Sequence, residues 1–357
     1  MRKERKMKRF TNLKCVSILL MVACVLLITA FVGCSKKSEP NEIKIGAIMP
    51  LTGDAGIYGQ EMKKGIDLCI ELANESGGIK GTTISVVYED DGGQANLAVN
   101  AFQKLIFQDK LDVVIGGAMS STAMSVAPLA EKNKVVFISP AASTPALTNA
   151  GDFIFRVWPS DAFEGSAIAK FSYNNVHLRV VSIVYVNNDY GKGASEVFKK
   201  EFENAGGSVA ISEGYEFGNT DFRPILTKIK QTNSEGIYVP GYQKELVNIL
   251  NQSKEMGLKI RFLGGVGFND PEILKLTGDT AENTIFASPY YDPQSSDPVT
   301  HKFVTGFKAK YGKEPAIFAA HSYDAAGVLI EAIKIGGPKA TDILYVFSKN
   351  ETNLPLN

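Results

Sequence analysis

Residues 43–49 read Ile-Lys-Ile-Gly-Ala-Ile-Met, and this run is apolar enough to predict a parallel strand that is buried on both faces. Residues 59–74 follow it with Met62, Ile66 and Ile70 at helical spacing, and the pattern ends at a glycine pair. A buried strand followed by an amphipathic helix is the repeating unit of α/β proteins. This stretch therefore predicts an α/β fold.

The same alternation of strand and helix patterns continues along the chain. Further strands are predicted at 83–88, 113–115, 135–138, 180–186, 208–212, 236–239 and 261–263. Further helices are predicted at 94–108, 121–132, 162–175, 190–205, 221–232, 242–256, 299–311 and 319–335. Strands separated by helices indicate parallel sheets that are covered on both faces.

Pro159 divides this pattern into two similar halves. The segment 156–161 around it is predicted to cross between lobes, because proline interrupts regular structure and a new helix pattern follows. A second crossing is predicted near 288–291, after which the last two helices return to the first half. The predicted layout is two Rossmann-like lobes joined by a hinge: lobe 1 at 42–157 plus 292–336, lobe 2 at 161–288, and an atypical tail at 337–357.

The N-terminal residues have the order of a bacterial lipoprotein leader. Basic residues precede an apolar run at 16–31, and Gly33 with Cys34 closes it. The run is too short for a comfortable transmembrane helix, although an uncleaved anchor helix is the alternative. We predict a signal peptide at 1–33, a lipid anchor on Cys34 and a polar tether at 34–41. The protein is then expected in the cell envelope, lipid-anchored to the outer side of the cytoplasmic membrane or in the periplasm.

Charge and cysteine content exclude several classes of partner. The whole chain balances 38 Lys and Arg against 38 Asp and Glu, and the part after residue 33 has 31 against 37. This acidic excess predicts that nucleic acid is not a partner. Once the leader is removed, Cys69 is the one unmodified cysteine, and the sequence shows no Cys/His spacing typical of a metal site. We therefore expect no disulfide, no metal and no cofactor.

Two loops that follow predicted strands are rich in small hydroxyl residues. Ser120 and Ser121 stand between the strand at 113–115 and the next helix, and the loop at 139–145 follows the next strand. Ligands of open parallel sheets bind beyond the carboxyl ends of the strands, and the free N–H groups of a helix start suit a carboxylate. We expect the two loops to converge on one anion. The alternative is that Ser120 or Ser121 only caps the helix.

An ordered set of short motifs resembles the branched-chain amino-acid binding protein family. These proteins are the extracytoplasmic receptors of ABC importers and have the type I periplasmic-binding fold. The likeness covers about residues 43 to 335. The motifs are Gly46 to Gly53 with Tyr58-Gly59, Asn74 to Ile79, Ser139 to Ser143, Asn188 to Gly193, Thr220 to Phe222, Gly241-Tyr242 and Tyr323 to Ala326.

The resemblance implies a role for each matching residue. Hydroxyl and backbone N–H groups of Ser120, Ala141 and Ser143, with Ser121 and Ala142 beside them, would hold a ligand carboxylate. Three further side chains would enclose the ligand from both lobes, namely Tyr58 from lobe 1 and Tyr190 and Tyr242 from lobe 2. Phe318 matches an aromatic residue that packs on the ligand side chain, whereas Trp158 is expected to be structural.

Two departures from the family pattern affect the prediction. Members that bind α-amino acids usually place an acidic residue of the second lobe where this chain has Val266. The ligand is therefore expected to be a small carboxylate or amide without an α-amino group, unless Asp270 meets the ammonium of a branched-chain amino acid. The family also continues with a third crossing that residues 349–353 do not resemble, so the C-terminal end is expected to be truncated.

Three functions remain open from the sequence. The first is a receptor that captures a small molecule between two lobes and delivers it to an ABC permease. The second is a sensor that uses the same fold to signal to a partner protein. The third, a nucleotide-dependent enzyme, is remote, because the sequence has no GxGxxG after a strand, no Walker motif and no Ser/His/Asp order.

Overall fold

The computed structural model describes residues 42–349. The predicted signal peptide, the tether with Cys34, and residues 350–357 of the tail lie outside this range. The strands are β1 (Glu42–Met49), β2 (Thr83–Asp90), β3 (Val113–Gly116), β4 (Val136–Ser139), β5 (Ile154–Arg156), β6 (Val180–Val186), β7 (Ser208–Tyr215), β8 (Gly236–Val239), β9 (Arg261–Gly264) and β10 (Ile285–Phe286).

Helices alternate with these strands along the chain. They are α1 (Gly56–Glu75), α2 (Ala95–Gln103), α3 (Ser120–Asn133), α4 (Asp161–Asn174), α5 (Asp189–Asn204), α6 (Arg223–Lys230), α7 (Gln243–Glu255), α8 (Pro271–Thr277), α9 (Pro298–Tyr311), α10 (Ile317–Gly336) and α11 (Ala340–Ser348). A π-helix, Lys104–Gln108, extends α2, and short 3-10 turns lie at Pro145–Asn149, Val266–Phe268 and Gly278–Ala281.

The strands form two five-stranded sheets, which confirms the predicted α/β fold class. The first sheet has the order β2-β1-β3-β4-β5 and the second has the order β10-β9-β8-β6-β7. In the first sheet Gly46 lies opposite Val114 and Phe137 opposite Ile154, in parallel register. In the second sheet β6, between β7 and β8, runs parallel to both. Each sheet belongs to one half of the sequence pattern.

Helices cover both faces of the first sheet. Val113 and Ile115 belong to an apolar cluster with Ile66 of α1, whereas Val114 belongs to a cluster on the other side that includes Phe102 of α2. Successive residues of a strand point to opposite faces, so a continuous apolar run is what a doubly covered strand requires. This arrangement explains why β1 and β3 show no polar alternation.

The chain returns to the first sheet after the second. Phe303 and Phe307 of α9 are fully buried in one cluster with Leu68 of α1, and α10 packs along α1. Part of the predicted tail is also ordered, since α11 buries Ile343 and Val346 in the core of the first sheet. None of the helices between residues 42 and 349 is long and apolar enough to cross a membrane.

The structure contains elements that the sequence patterns did not predict, namely β5, β10, α8 and α11. The two strands have three and two residues. Such lengths are too short for periodicity to be recognised, and their place in a sheet depends on pairing with β4 and β9. The predicted strand and helix boundaries otherwise agree within a few residues, and the strands at 180–186 and 236–239 agree in full.

Candidate functional site

A cavity lies between the two sheets, at the carboxyl ends of their strands. Its walls come from both halves of the chain. The lining residues are Tyr58, Ala118, Met119, Ser120, Ala141, Ser143, Trp158, Asp161, Glu164, Tyr190, Gly241, Tyr242, Val266, Gly267 and Phe318. The structure therefore brings together eight of the ten residues that the resemblance assigned to a ligand site.

Ser121 and Ala142 are the two assigned residues that do not line the cavity. Ala142 is fully buried in the core beneath the first sheet, and its N–H donates to Ser139 Oγ at 2.9 Å. Ser121 follows Ser120 in α3, and the side chains of consecutive helical residues point about 100° apart around the helix axis. Neighbouring residues in a loop or helix start thus face different surroundings.

Ser120 joins the two hydroxyl-rich loops. Its Oγ accepts a hydrogen bond from the Thr144 N–H at 3.3 Å, and no side chain caps the start of α3. The alternative that Ser120 or Ser121 only caps the helix is therefore wrong, because Met119 is the residue at the cap position. The first N–H groups of α3 have no partner within the helix, which leaves them available to an anion.

Gly117 allows the turn between β3 and α3. Its φ is +70°, and a Cβ at this position would lie 2.6 Å from the Cβ of Ala123. Glycine is the residue that adopts this conformation without a steric penalty. The carbonyl of Gly117 also accepts a hydrogen bond from Ser139 Oγ at 2.9 Å, which holds the two loops side by side.

Aromatic rings connect the two lobes across the cavity. The ring of Tyr58 lies 5.0 Å from that of Phe318 and 6.0 Å from that of Tyr242, which lies 5.5 Å from Tyr190. Trp158 stacks on Phe318 with an interplanar angle of 10°. Burial raises the pKa of the tyrosines, so their hydroxyls remain neutral hydrogen-bonding groups.

The expectation that Trp158 is only structural needs correction. It lies at the crossing as expected, but its ring also lines the cavity and packs 4.5 Å from the His321 ring. A proline beside the tryptophan suggested a purely structural role, because nothing in the sequence indicates which way the ring points. The stacking on Phe318 places it in the aromatic wall.

Polar contacts also join the two lobes beside the cavity. The N–H of Gln243 at the start of α7 donates to Tyr58 Oη at 3.0 Å. Lys244 Nζ lies 2.5 Å from Asp54 Oδ1, in a pair whose side chains are more than half exposed. The partly buried hydrogen bond contributes more to holding the lobes together than the exposed ion pair, whose attraction is screened by water.

Two acidic residues at the start of α4 line the cavity, and the sequence reasoning missed both. Asp161 is 3 % exposed, and Asp161 Oδ2 and Glu164 Oε1 are buried without a hydrogen-bond partner among the described residues. The hydroxyl of Ser143 hydrogen-bonds Asp161, and the Asp161 N–H donates to the Ser143 carbonyl at 2.8 Å. Burial raises the pKa of Asp161 to about 7 and that of Glu164 to about 8.

Val266 lines the cavity as assigned, but Asp270 does not substitute for an acid there. Asp270 accepts a hydrogen bond from Gln243 Nε2 at 2.7 Å and caps α8 through the Glu272 N–H at 2.9 Å. It lies in a more open groove next to the cavity, where its carboxylate already has two donors. The cavity contains carboxylates, but they come from α4.

The described residues contain no group of three His, Cys, Asp or Glu side chains that could hold a metal ion. The arrangement of helix start, hydroxyls, aromatic rings and buried carboxylates is suited to noncovalent binding of a small polar molecule with an apolar part.

Comparison with known proteins gives the same picture. Residues 42–346 match the family model described as periplasmic binding protein. The chain is 31% identical over 298 residues to the leucine-, isoleucine-, valine-, threonine- and alanine-binding protein of Pseudomonas aeruginosa, which covers 83% of this chain and 79% of that protein.

Two solved structures have similar folds. One is the leucine-binding protein LivK of Thermotoga maritima, with a TM-score of 0.79 and 32% identity over 85% of this chain and 86% of that one. The other is the branched-chain amino acid transporter substrate-binding protein LivJ of Streptococcus pneumoniae in complex with isoleucine, with a TM-score of 0.79 and 31% identity over 86% and 88%. The chain belongs to the periplasmic binding protein family, among the substrate-binding proteins of branched-chain amino-acid ABC transporters.

Proposed function

We propose that this protein captures a branched-chain amino acid outside the cytoplasm and delivers it to the permease of an ABC importer. The observation that carries the proposal is the interlobe cavity, which combines a carboxylate-binding end with an aromatic wall. A relative from Rhodopseudomonas palustris, 25% identical over 85% of this chain and 84% of that one with a TM-score of 0.75, was solved with 3,4-dihydroxybenzoic acid. Aromatic acids are therefore the comparison class for any binding test.

The carboxylate of the ligand would bind where the two hydroxyl-rich loops meet. Ser120 and Ser143 line this end of the cavity, and the N–H groups at the start of α3 carry the positive end of the helix dipole. The rings of Tyr58, Trp158 and Phe318 line another part of the cavity and offer an aliphatic side chain an apolar surface. Each end of the cavity thus matches one part of an aliphatic amino acid.

Capture would proceed by closure of lobe 1, at 42–157 plus 292–336, over lobe 2, at 161–288. Chain segments without regular structure join the two sheets at 157–160 and 287–297. Such segments are where hinge rotations occur. The hydrogen bond from Gln243 to Tyr58, which joins the two lobes in this structure, would help to hold the closed form together.

Titration calorimetry tests the proposed ligand class. We expect leucine, isoleucine and valine to bind the protein without its leader, and 3,4-dihydroxybenzoate and aspartate to bind much more weakly. A ligand at 100 times its dissociation constant adds about 2.7 kcal/mol to the free energy of unfolding, so a rise in melting temperature should accompany binding. Binding of the aromatic acid in preference to all three aliphatic amino acids would contradict the proposal.

We further propose that Cys34 carries a lipid and that residues 1–33 are removed. The basic, apolar and Gly-Cys order of the leader supports this proposal, and lipids on one cysteine anchor a protein without spanning the bilayer. Intact-mass analysis of membrane-extracted protein should give a chain that starts at a modified Cys34. A Cys34→Ser variant serves as the control and should lack the added mass. Recovery of wild-type chains that start at Met1 with a free Cys34 thiol would rule the proposal out.

A further inference from the structure

The cavity holds buried acidic side chains that the carboxylate-binding loops cannot explain. Asp161 and Glu164 begin α4 and are one helical turn apart, so their carboxyl groups lie on the same side of the helix. Asp161 Oδ2 and Glu164 Oε1 are both buried and have no hydrogen-bond partner among residues 42–349. A buried carboxyl group without a hydrogen-bond partner is costly, and its retention in a cavity indicates a ligand that satisfies it.

The position of the pair fits the cationic end of a zwitterion. Asp161 contacts Ser143, which lines the carboxylate-binding end of the cavity. Glu164 Oε2 lies 4.0 Å from the place that a Cβ on Gly265 would occupy, next to Val266. A carboxyl group from α4 therefore lies next to the segment that contains Val266. The Val266 side chain itself cannot pair with the ammonium group of an amino-acid ligand. In an α-amino acid the two charged groups share one carbon, so both must find partners within a short distance.

We propose that Asp161 and Glu164 form the ammonium-binding subsite of this cavity and select ligands that carry a protonated amino group. The assignment rests on the proposed function, because it describes the second half of the same ligand site. It also replaces the expectation of a ligand without an α-amino group. Val266 then contributes apolar surface to the ligand side chain, and the charge comes from another element of lobe 2.

Protonation of the pair should be linked to ligand binding. One guanidinium and three neutral phenols face the two carboxyl groups, and these are Arg156, Tyr190, Tyr238 and Tyr242. Burial holds the pKa of Asp161 at about 7 and that of Glu164 at about 8, so the pair retains a proton near neutral pH when no cation is bound. An ammonium favours the ionised form and should displace that proton to the buffer. Affinity for a cationic ligand should therefore rise between pH 6 and pH 8.

The test compares leucine with 4-methylpentanoate, which is leucine without its amino group, on the full mature chain. We expect wild type to bind leucine at least about tenfold more tightly, and Glu164→Gln to remove most of this preference by weakening leucine alone. Asp161→Asn provides a second variant with the same expectation. Glu245→Gln is the matched control, because Glu245 is a buried acid of lobe 2 that lies outside the cavity and accepts from the Gly218 N–H at 2.8 Å.

A second measurement detects the proton that the carboxyl pair releases when the ligand binds. Calorimetry at pH 7 in two buffers of different ionisation enthalpy should show proton release when leucine binds to wild type and to Glu245→Gln, and less release in Glu164→Gln. Equal affinity of wild type for both compounds, or undiminished leucine preference in both α4 variants, would overturn the assignment while leaving aliphatic ligand capture intact. Failure of wild type to bind either compound would instead overturn the proposed function and this subsite with it.

Discussion

Substitution of Gly65 by alanine should destabilise the folded protein by about 3 kcal/mol or more. Gly65 lies in α1 where this helix crosses α10, and a Cβ there would be 2.1 Å from the carbonyl oxygen of Ala319. The obstacle is backbone, so no side-chain rotation can relieve the contact. The helices would have to move apart, and apolar contacts of Met62 and Ile66 with α10 in the first-sheet core would be lost.

Gly327→Ala is the matched control for this prediction, because it lies in α10 and faces the same helix pair. A Cβ at Gly327 would be 3.8 Å from the Cys69 Sγ, which is an ordinary van der Waals contact. Alanine in a helix interior is more favourable than glycine by about 0.5–1 kcal/mol, so this variant should be neutral or more stable. Urea unfolding of both variants measures the difference. Equal stability of Gly65→Ala and wild type would show that α1 and α10 are less tightly packed than the structure indicates.

The sequence predicted the layers of the fold because apolar runs determine them. A strand such as β3 is buried on both faces wherever it occurs in a doubly covered sheet, so its four apolar or small residues suffice to identify it. The two-residue strand β10 has no pattern of its own, and its pairing with β9 becomes visible only in three dimensions. A sequence pattern therefore identifies a strand whose residues are all buried. It cannot identify a strand that is defined only by its pairing with a neighbouring strand.

The ligand site was predicted in part for a related reason. Ser120 follows a strand at the edge where parallel sheets bind ligands, so chain order was sufficient to find it, whereas Tyr190 and Val266 were assigned through the family resemblance. Asp161 and Glu164 begin a helix, where acidic residues commonly face solvent and complement the helix dipole. Nothing in their spacing shows that the carboxyl groups are buried. Only the packing of α4 against Ser143 and Tyr190 reveals that these acidic groups are internal.

Tyr242→Ala should lower the affinity for the captured amino acid by about 100-fold, or about 2.7 kcal/mol. The Tyr242 ring contacts Tyr190 and Phe217 of its own lobe and Tyr58 of the other, so it lies at the centre of the interlobe aromatic wall. Its removal would open the cavity to water and remove the ring against which Tyr58 closes. A central, well-packed tyrosine is the kind of residue on which binding free energy concentrates.

Two further substitutions distinguish the contribution of the Tyr242 ring to affinity from that of its hydroxyl and from general effects of losing a tyrosine. Tyr242→Phe keeps the ring and loses only the acceptor for the Asn188 Nδ2, at 3.2 Å, so its affinity should fall about threefold to tenfold. Tyr345→Ala removes a tyrosine that is 58% exposed on α11, away from the cavity, and should leave affinity unchanged. Calorimetry with the same ligand on all four proteins ranks these effects. If Tyr242→Ala binds the ligand as tightly as Tyr345→Ala does, closure of the lobes over the ligand does not depend on the aromatic wall. The hydrogen bond from Gln243 to Tyr58 must then hold the lobes together instead.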